Sequence, residues 1–136
     1  MDISIVQVDP DSGLVSLKLS PKPIKGMSKL IQIVILSLLN IPGSDVFDPG
    51  EGGGIPEMIG MNFDTSDLSE ILAELTRRVR KSEKEILANQ IGFEASADEA
   101  LRSLAVSGVA PGGAIDEVSV RIRIINELGQ QTDVVI

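Results

Sequence analysis

Cysteine, histidine, tryptophan and tyrosine do not occur in this sequence, and phenylalanine occurs only three times. Without cysteine there can be no disulfide and no thiolate metal ligand. Without histidine, the commonest general base and the commonest zinc ligand are missing together. Without tryptophan or tyrosine, the rings best suited to stacking on sugars and bases are missing too. Any chemistry falls to carboxylates, lysine, serine or threonine. Long apolar runs are also lacking. The longest, Leu30–Ile41, is twelve residues broken by Gln32, Ser37 and Asn40, well short of the roughly 20 that span a bilayer. The opening Met1-Asp2-Ile3-Ser4 lacks a basic start followed by an apolar run, which argues against a secretory leader.

The sequence has 136 residues, 43% of them apolar, enough for one domain with a modest core. Its net charge of −8 disfavours nucleic acid and anionic membrane as partners.

Along the chain, Ile3–Val8 and Leu14–Leu19 are short β-like runs around the turn sequence Asp9-Pro-Asp-Ser-Gly13, which predicts a hairpin. Lys25–Asn40 carries apolar residues at Met27, Leu30, Ile31, Val34, Ile35, Leu38 and Leu39, a helical spacing ended by Pro42-Gly43. Its β-branched Ile31–Leu36 also suits a strand, but the length of the run favours the helix. Ile33 and Leu36 extend the apolar surface almost all round, so this helix should be covered on both flanks, and a chain of 136 residues has little to cover the second. Thr65–Gln90 predicts an amphipathic helix with a stripe of Leu68, Ile71, Leu72, Leu75, Val79 and Ile86. Asp64, Thr65 or Ser66 would cap it, and Asp67 and Glu70 suit its positive end. Arg77, Arg78, Arg80, Lys81 and Lys84 follow, either as a solvated face or as a docking surface for an acidic neighbour.

Ser96-Ala-Asp-Glu99 matches a capping box and could start one helical turn. Leu101–Val109 fits either a strand or a helix. Val118–Ile124 predicts a strand, with Ser119, Arg121 and Arg123 on the face opposite its β-branched residues. Thr132–Ile136 returns beside it after Glu127-Leu-Gly-Gln130. The expected class is α+β: two main helices packed with a small antiparallel sheet, plus an N-terminal hairpin. Within this single domain, residues 1–24 would form the hairpin extension, 25–92 a helical core and 93–136 the C-terminal strands.

The stretch Asp45–Gly60, "DVFDPGEGGGIPEMIG", holds five of the thirteen glycines, two prolines and four acids. It is a poor phosphate loop, because Gly54 is followed by Ile55-Pro56 rather than by lysine and a hydroxyl residue. Asp45, Asp48 and Glu51 are three apart, not alternating as a calcium loop requires. A glycosidase pair could be drawn from Asp45, Asp48, Glu51 and Glu57, but twenty acids make some such pair nearly inevitable. Glycines that let backbone fold tightly against another surface are the favoured reading.

The order of these features resembles the baseplate wedge, or sheath-initiator, family of contractile phage tails (the W-like, gene-25-like family), which has a relative in the type VI secretion baseplate. The resemblance rests on the apolar helix leading into "LLNIPGSDVFDPGEGGGIPEMIGMNFD", then "LSEILAELTRRVRKSEKEILANQ", "ADEALRSLAVSGV" and the closing "VSVRIRIINELGQQTDVVI". It covers about residues 25 to 136. Many relatives carry Glu-Pro-Arg within the amphipathic helix, where this chain has Glu83-Lys84-Glu85.

The resemblance implies a non-enzymatic virion subunit of the tail baseplate, made in the host cytoplasm, without cofactor or metal. It would link other wedge proteins to the tail sheath, with the tail tube or hub as a further neighbour. Its implied wedge-facing residues are Ile33, Leu36, Arg77, Arg78, Arg80 and Glu83. The implied sheath-facing residues are Val118, Val120, Arg121, Ile122, Arg123, Ile124, Thr132, Val134, Val135 and Ile136, offering an open strand edge to a strand of the sheath. The alternative class is a lysozyme-like glycosidase acting on peptidoglycan through a carboxylate pair.

Overall fold

The computed structural model describes residues 3–9, 12–23, 25–43, 47, 49–60, 68–91, 95–111 and 118–136. It has the expected α+β architecture. Strands β1 (Ile3–Val8) and β2 (Val15–Pro23) pair antiparallel as the N-terminal hairpin. Its turn closes as its sequence predicts: the Gly13 amide donates to the Asp9 carbonyl at 2.8 Å, with Gly13 at φ 73. Helix α1 (Met27–Leu39) follows, then a short 3-10 helix at Ile55–Gly60, then helix α2 (Leu68–Ile91). Strands β3 (Leu101–Pro111), β4 (Val118–Asn126) and β5 (Gln131–Val135) form an antiparallel sheet with β4 in the middle. The expected cap residues Asp64, Thr65 and Ser66 lie outside the described residues, as do Asp67, Asp45 and Asp48.

The core lies where the inner face of this sheet meets both helices. Leu101, Leu104, Val120, Ile122, Ile124 and Val134 supply the sheet side. Leu30, Val34, Ile35 and Leu38 come from α1, and Ile71, Leu75, Val79 and Ile86 from α2. Strand β4 alternates as predicted: Val120, Ile122 and Ile124 are buried while Arg121 is exposed. In α2 the buried stripe also takes in Arg78 and Ser82, and Leu72 is exposed at 41%.

One open alternative is decided and two expectations are corrected. Leu101–Pro111 is one long strand, because pairing with β4 decides what local pattern leaves ambiguous. Ser96–Glu99 makes the single turn expected, with the Ala100 amide donating to the Ser96 carbonyl at 3.0 Å, but it is not a capping box, because the Ser96 hydroxyl goes to Asp98 Oδ1 at 2.6 Å. The Glu99 carboxylate accepts the Gly26 amide at 3.0 Å and sits 3.5 Å from Lys29 Nζ. It therefore serves the start of α1, where Gly26 (φ 68) offers no side-chain cap of its own. Finally, α1 does not keep a whole flank uncovered. The hairpin lies beside it, with the Val6 amide donating to the buried Gln32 Oε1 at 3.2 Å. Ile33 is half-buried against the core and Leu36 is the exposed apolar residue on the helix, at 39%. Among the described residues no helix is long and apolar enough to cross a membrane.

Candidate functional site

The glycine-rich connector is held between the two helices through its own backbone. The Gly52 amide donates to Glu85 Oε2 at 3.0 Å, Gly53 to the Ser37 carbonyl at 2.9 Å and Gly54 to the Asn40 carbonyl at 2.9 Å. Lys81 Nζ reaches the carbonyls of Gly50 and Gly52, each at 2.8 Å. These three amides are committed to protein acceptors, so they do not converge on an anion. The close approach needs glycine. A Cβ on Gly53 would lie 2.5 Å from Ser82 Oγ and 3.2 Å from Leu38 Cα, and one on Gly52 would overlap the Asn40 carbonyl.

Arg78 completes the clamp. Its Nη1 donates to the Gly53 and Gly54 carbonyls at 3.2 and 2.5 Å and lies 3.2 Å from Glu57 Oε2, while Nε reaches Glu74 Oε1 at 2.8 Å. The sequence places Arg78 among surface cations, but it is buried, 5% exposed. The physical reason is the planar guanidinium, whose fixed fork can satisfy several acceptors at once in a confined site. Glu74 also takes Arg77 at 2.6 Å, and this hydrogen bond is the main cause holding its carboxyl down to about 2, with Arg78 adding to the effect. Glu74 in turn raises the Arg77 guanidinium.

The six residues expected to face the wedge therefore do not share one surface. Arg77 and Arg80 are exposed, Leu36 is exposed on the other helix, Ile33 is half-buried and Arg78 is spent inside the chain. Glu83 is also spent internally, as its Oε2 accepts the Leu104 amide at 2.7 Å.

That bond belongs to a pattern that sequence reading did not reach. Gln90 Oε1 accepts the Leu101 amide at 2.9 Å, and its Nε2 donates to the Glu99 carbonyl at 3.1 Å. Gln90 and Glu83 are seven residues apart, about two helical turns, so they share one face of α2. Seven helical residues advance about 10.5 Å and three strand residues about 10 Å. Helix α2 thus runs beside the outer edge of β3 and caps it at matching intervals. Asn126 was missed as well: it is fully buried, and its Nδ2 ties the Asp98 carbonyl to the Gln130 side chain at 3.1 and 2.9 Å. Only its position at the strand end beside a Gly129 turn could have hinted at this.

Among the expected sheath-facing residues, Val120, Ile122, Ile124 and Val134 point into the core, and Val118 begins β4. Arg121 is exposed, and Arg123 pairs across the strands with Asp133 at 3.1 Å. Thr132, Val135 and Ile136 are half-buried. Of the two strands that carry these residues β4 is central, so only β5 can present an edge. Even that edge is not wholly open, which corrects the expectation: the Val135 amide donates to the Gly13 carbonyl at 2.7 Å, and Leu14 bridges to Val135 in parallel. Among the described residues, the outer side left unpaired runs from Gln131 to the Asp133 N–H, since the Asp133 carbonyl packs against Gly13.

Among the described residues, no group of three or more acids lies close enough to hold a metal ion. Comparison with family models, with curated proteins and with solved structures finds no match to this chain.

Proposed function

We propose that this chain is a non-enzymatic structural subunit of a contractile-tail baseplate, which joins the wedge to the tail sheath and starts sheath assembly by strand addition. The observation that carries the reading is the last strand, β5, which lies at the edge of an antiparallel sheet with the Asp133 N–H directed away from β4. Such an edge accepts a further strand by backbone hydrogen bonding. The order of elements that resembles the sheath-initiator family supports it. So does a glycine connector whose amides are committed to the fold rather than offered to a small ligand.

Truncating β5 would be a poor test, because Val134 is fully buried and Ile136 exchanges both backbone bonds with Val120. Asp133→Pro is cleaner. Residues on β5 alternate in facing β4, and Asp133 is one whose N–H points outward. Particles carrying Asp133→Pro should build baseplates but only short sheaths or none. Asp133→Ala, which keeps the amide and loses the Arg123 pair, should build normal sheaths. Full-length sheath on the proline variant would refute the role of this edge. Clearing of a peptidoglycan suspension by the purified chain, lost on Glu51→Ala or Glu57→Ala, would favour the glycosidase class instead.

A further inference from the structure

The capping of β3 by α2 stops partway, and a cleft opens where it stops. The next residue on the capping face after Gln90 and Glu83 is Thr76, again seven positions away. Its hydroxyl is turned back onto its own helix, donating to the Leu72 carbonyl at 2.8 Å. Opposite it the strand continues to Pro111 with nothing from α2 to pair its outer side. Leu104 faces outward, since its amide goes to Glu83. Alternation then turns Val106 outward as well. Val120 exchanges both its bonds with Ile136, so Val109, its partner in register, also directs its N–H and C=O away from β4. Among the described residues nothing takes these groups. The cleft has a volume of about 340 Å3 and is lined by Thr76, Val79, Arg80, Glu83, Leu104 and Val106, with Ala105 beside them.

We propose that this cleft between α2 and the outer edge of β3 binds an extended segment of another polypeptide, added as a strand beside Val106–Pro111. The chemistry of the occupant follows from the lining. A strand laid there puts every second side chain over Val79, Leu104 and Val106, so those positions are apolar. At the mouth stands Arg80, exposed and with no carboxylate within ion-pair distance among the described residues, while the nearby Glu83 is committed to Leu104. The occupant therefore carries an acidic residue at the α2 side. The site lies on the opposite edge of the sheet from β5, and it stands whether or not β5 meets a sheath.

The test uses the full chain, panned against displayed random peptides of about eight residues, long enough for an ordinary strand. Recovered binders should alternate apolar residues and include an acid. Thr76→Gln should extend the capping series to Val106 and weaken these binders by at least about tenfold, the effect of one or two backbone bonds. Val106→Pro should do the same, since that amide serves no bond within the sheet. Arg80→Glu should reverse the preference, selecting basic binders. Thr76→Gln lies on the helix surface, so the test survives if the proline variant misfolds. The proposal is overturned if the library yields no binder, or if Thr76→Gln and Arg80→Glu leave the binders unaffected. A dimer of the chain that Val106→Pro dissolves would also overturn it, because the edge would then be taken by a second copy.

Discussion

Gly53 and Ser82 give the most discriminating test of how the connector is packed. A Cβ on Gly53 would stand 2.5 Å from Ser82 Oγ, far inside van der Waals contact, and 3.2 Å from Leu38 Cα. Ser82 is fully buried, and its hydroxyl has no hydrogen-bond partner among the described residues. Gly53→Ala should cost about 1–3 kcal/mol, the usual penalty for overpacking. Ser82→Ala removes the clashing atom together with an orphan hydroxyl whose burial costs about 1–3 kcal/mol. It should be neutral or stabilising, helped by a helix-propensity gain of a few tenths of a kcal/mol or so. In the double variant the new methyl finds the space Oγ left, and the remaining close neighbour is Leu38 Cα. The two changes should then couple favourably by about 1 kcal/mol, beyond the few tenths expected of independent sites. Urea unfolding of the four proteins measures this directly, provided the m-values agree. Strict additivity, or a Ser82→Ala variant less stable than the parent, would refute the account of this contact.

Other perturbations probe the same clamp. Arg78→Leu strips partners from the buried Gly53 and Gly54 carbonyls and from Glu57 and Glu74, and should cost about 2–4 kcal/mol, chiefly for the carbonyls left unpaired; Arg78→Lys should recover part of it, and a leucine variant within about 1 kcal/mol of the parent would show the clamp to be dispensable. Glu74 has its folded pKa lowered from 4.5 to about 2, so its contribution is present above pH 4.5 and is lost as the pH falls toward 2. Glu74→Gln should cost about 1–2 kcal/mol near neutral pH, discounted because solvent screens Arg77. The gap from the parent in urea unfolding should close as the pH falls through that window, and a gap constant across it would refute the assignment.

Much of the fold was legible in the sequence because local pattern and tertiary burial agree. The β-branched alternation of β4, the Asp9–Gly13 turn and the apolar spacing of both helices each point the same way as the packing. The reading failed where a residue's role is set by what arrives from far along the chain. Arg78 looks like its neighbours Arg77 and Arg80, and only the connector folding back over α2 buries it. Leu101–Val109 carries two periods at once, and β4 selects one of them. Glu99 sits at a capping-box position, but a closer claim on its carboxylate comes from Gly26, seventy-three residues earlier. The uncovered flank of α1 was a misjudgement of supply: the hairpin, placed outside the core, turns out to contribute Val6 to it.

The two edges of the sheet are closed by different means, and the difference bears on which can be used. At β5 the cover is backbone from the hairpin turn, fixed by Gly13 at φ 73, where a Cβ would come within 3.0 Å of the Asp133 carbonyl. Such a cover is displaced only by moving the turn. At β3 the cover consists of two side chains, Glu83 and Gln90, with the third position on that face held by a threonine too short and already bonded to its own helix. Side-chain caps are individually modest, at about 0.5–1.5 kcal/mol net for the neutral Gln90 amide and about 1.5–3 kcal/mol for the Glu83 carboxylate, and a rotamer change releases them. An incoming strand starting at Val109 and Val106 could therefore displace Glu83 from Leu104 and lengthen its own pairing by a further step. Sheet edges left bare invite indiscriminate pairing. An edge closed by releasable side chains at one end and open over a short stretch at the other restricts entry to a segment that fits the cleft beside Arg80.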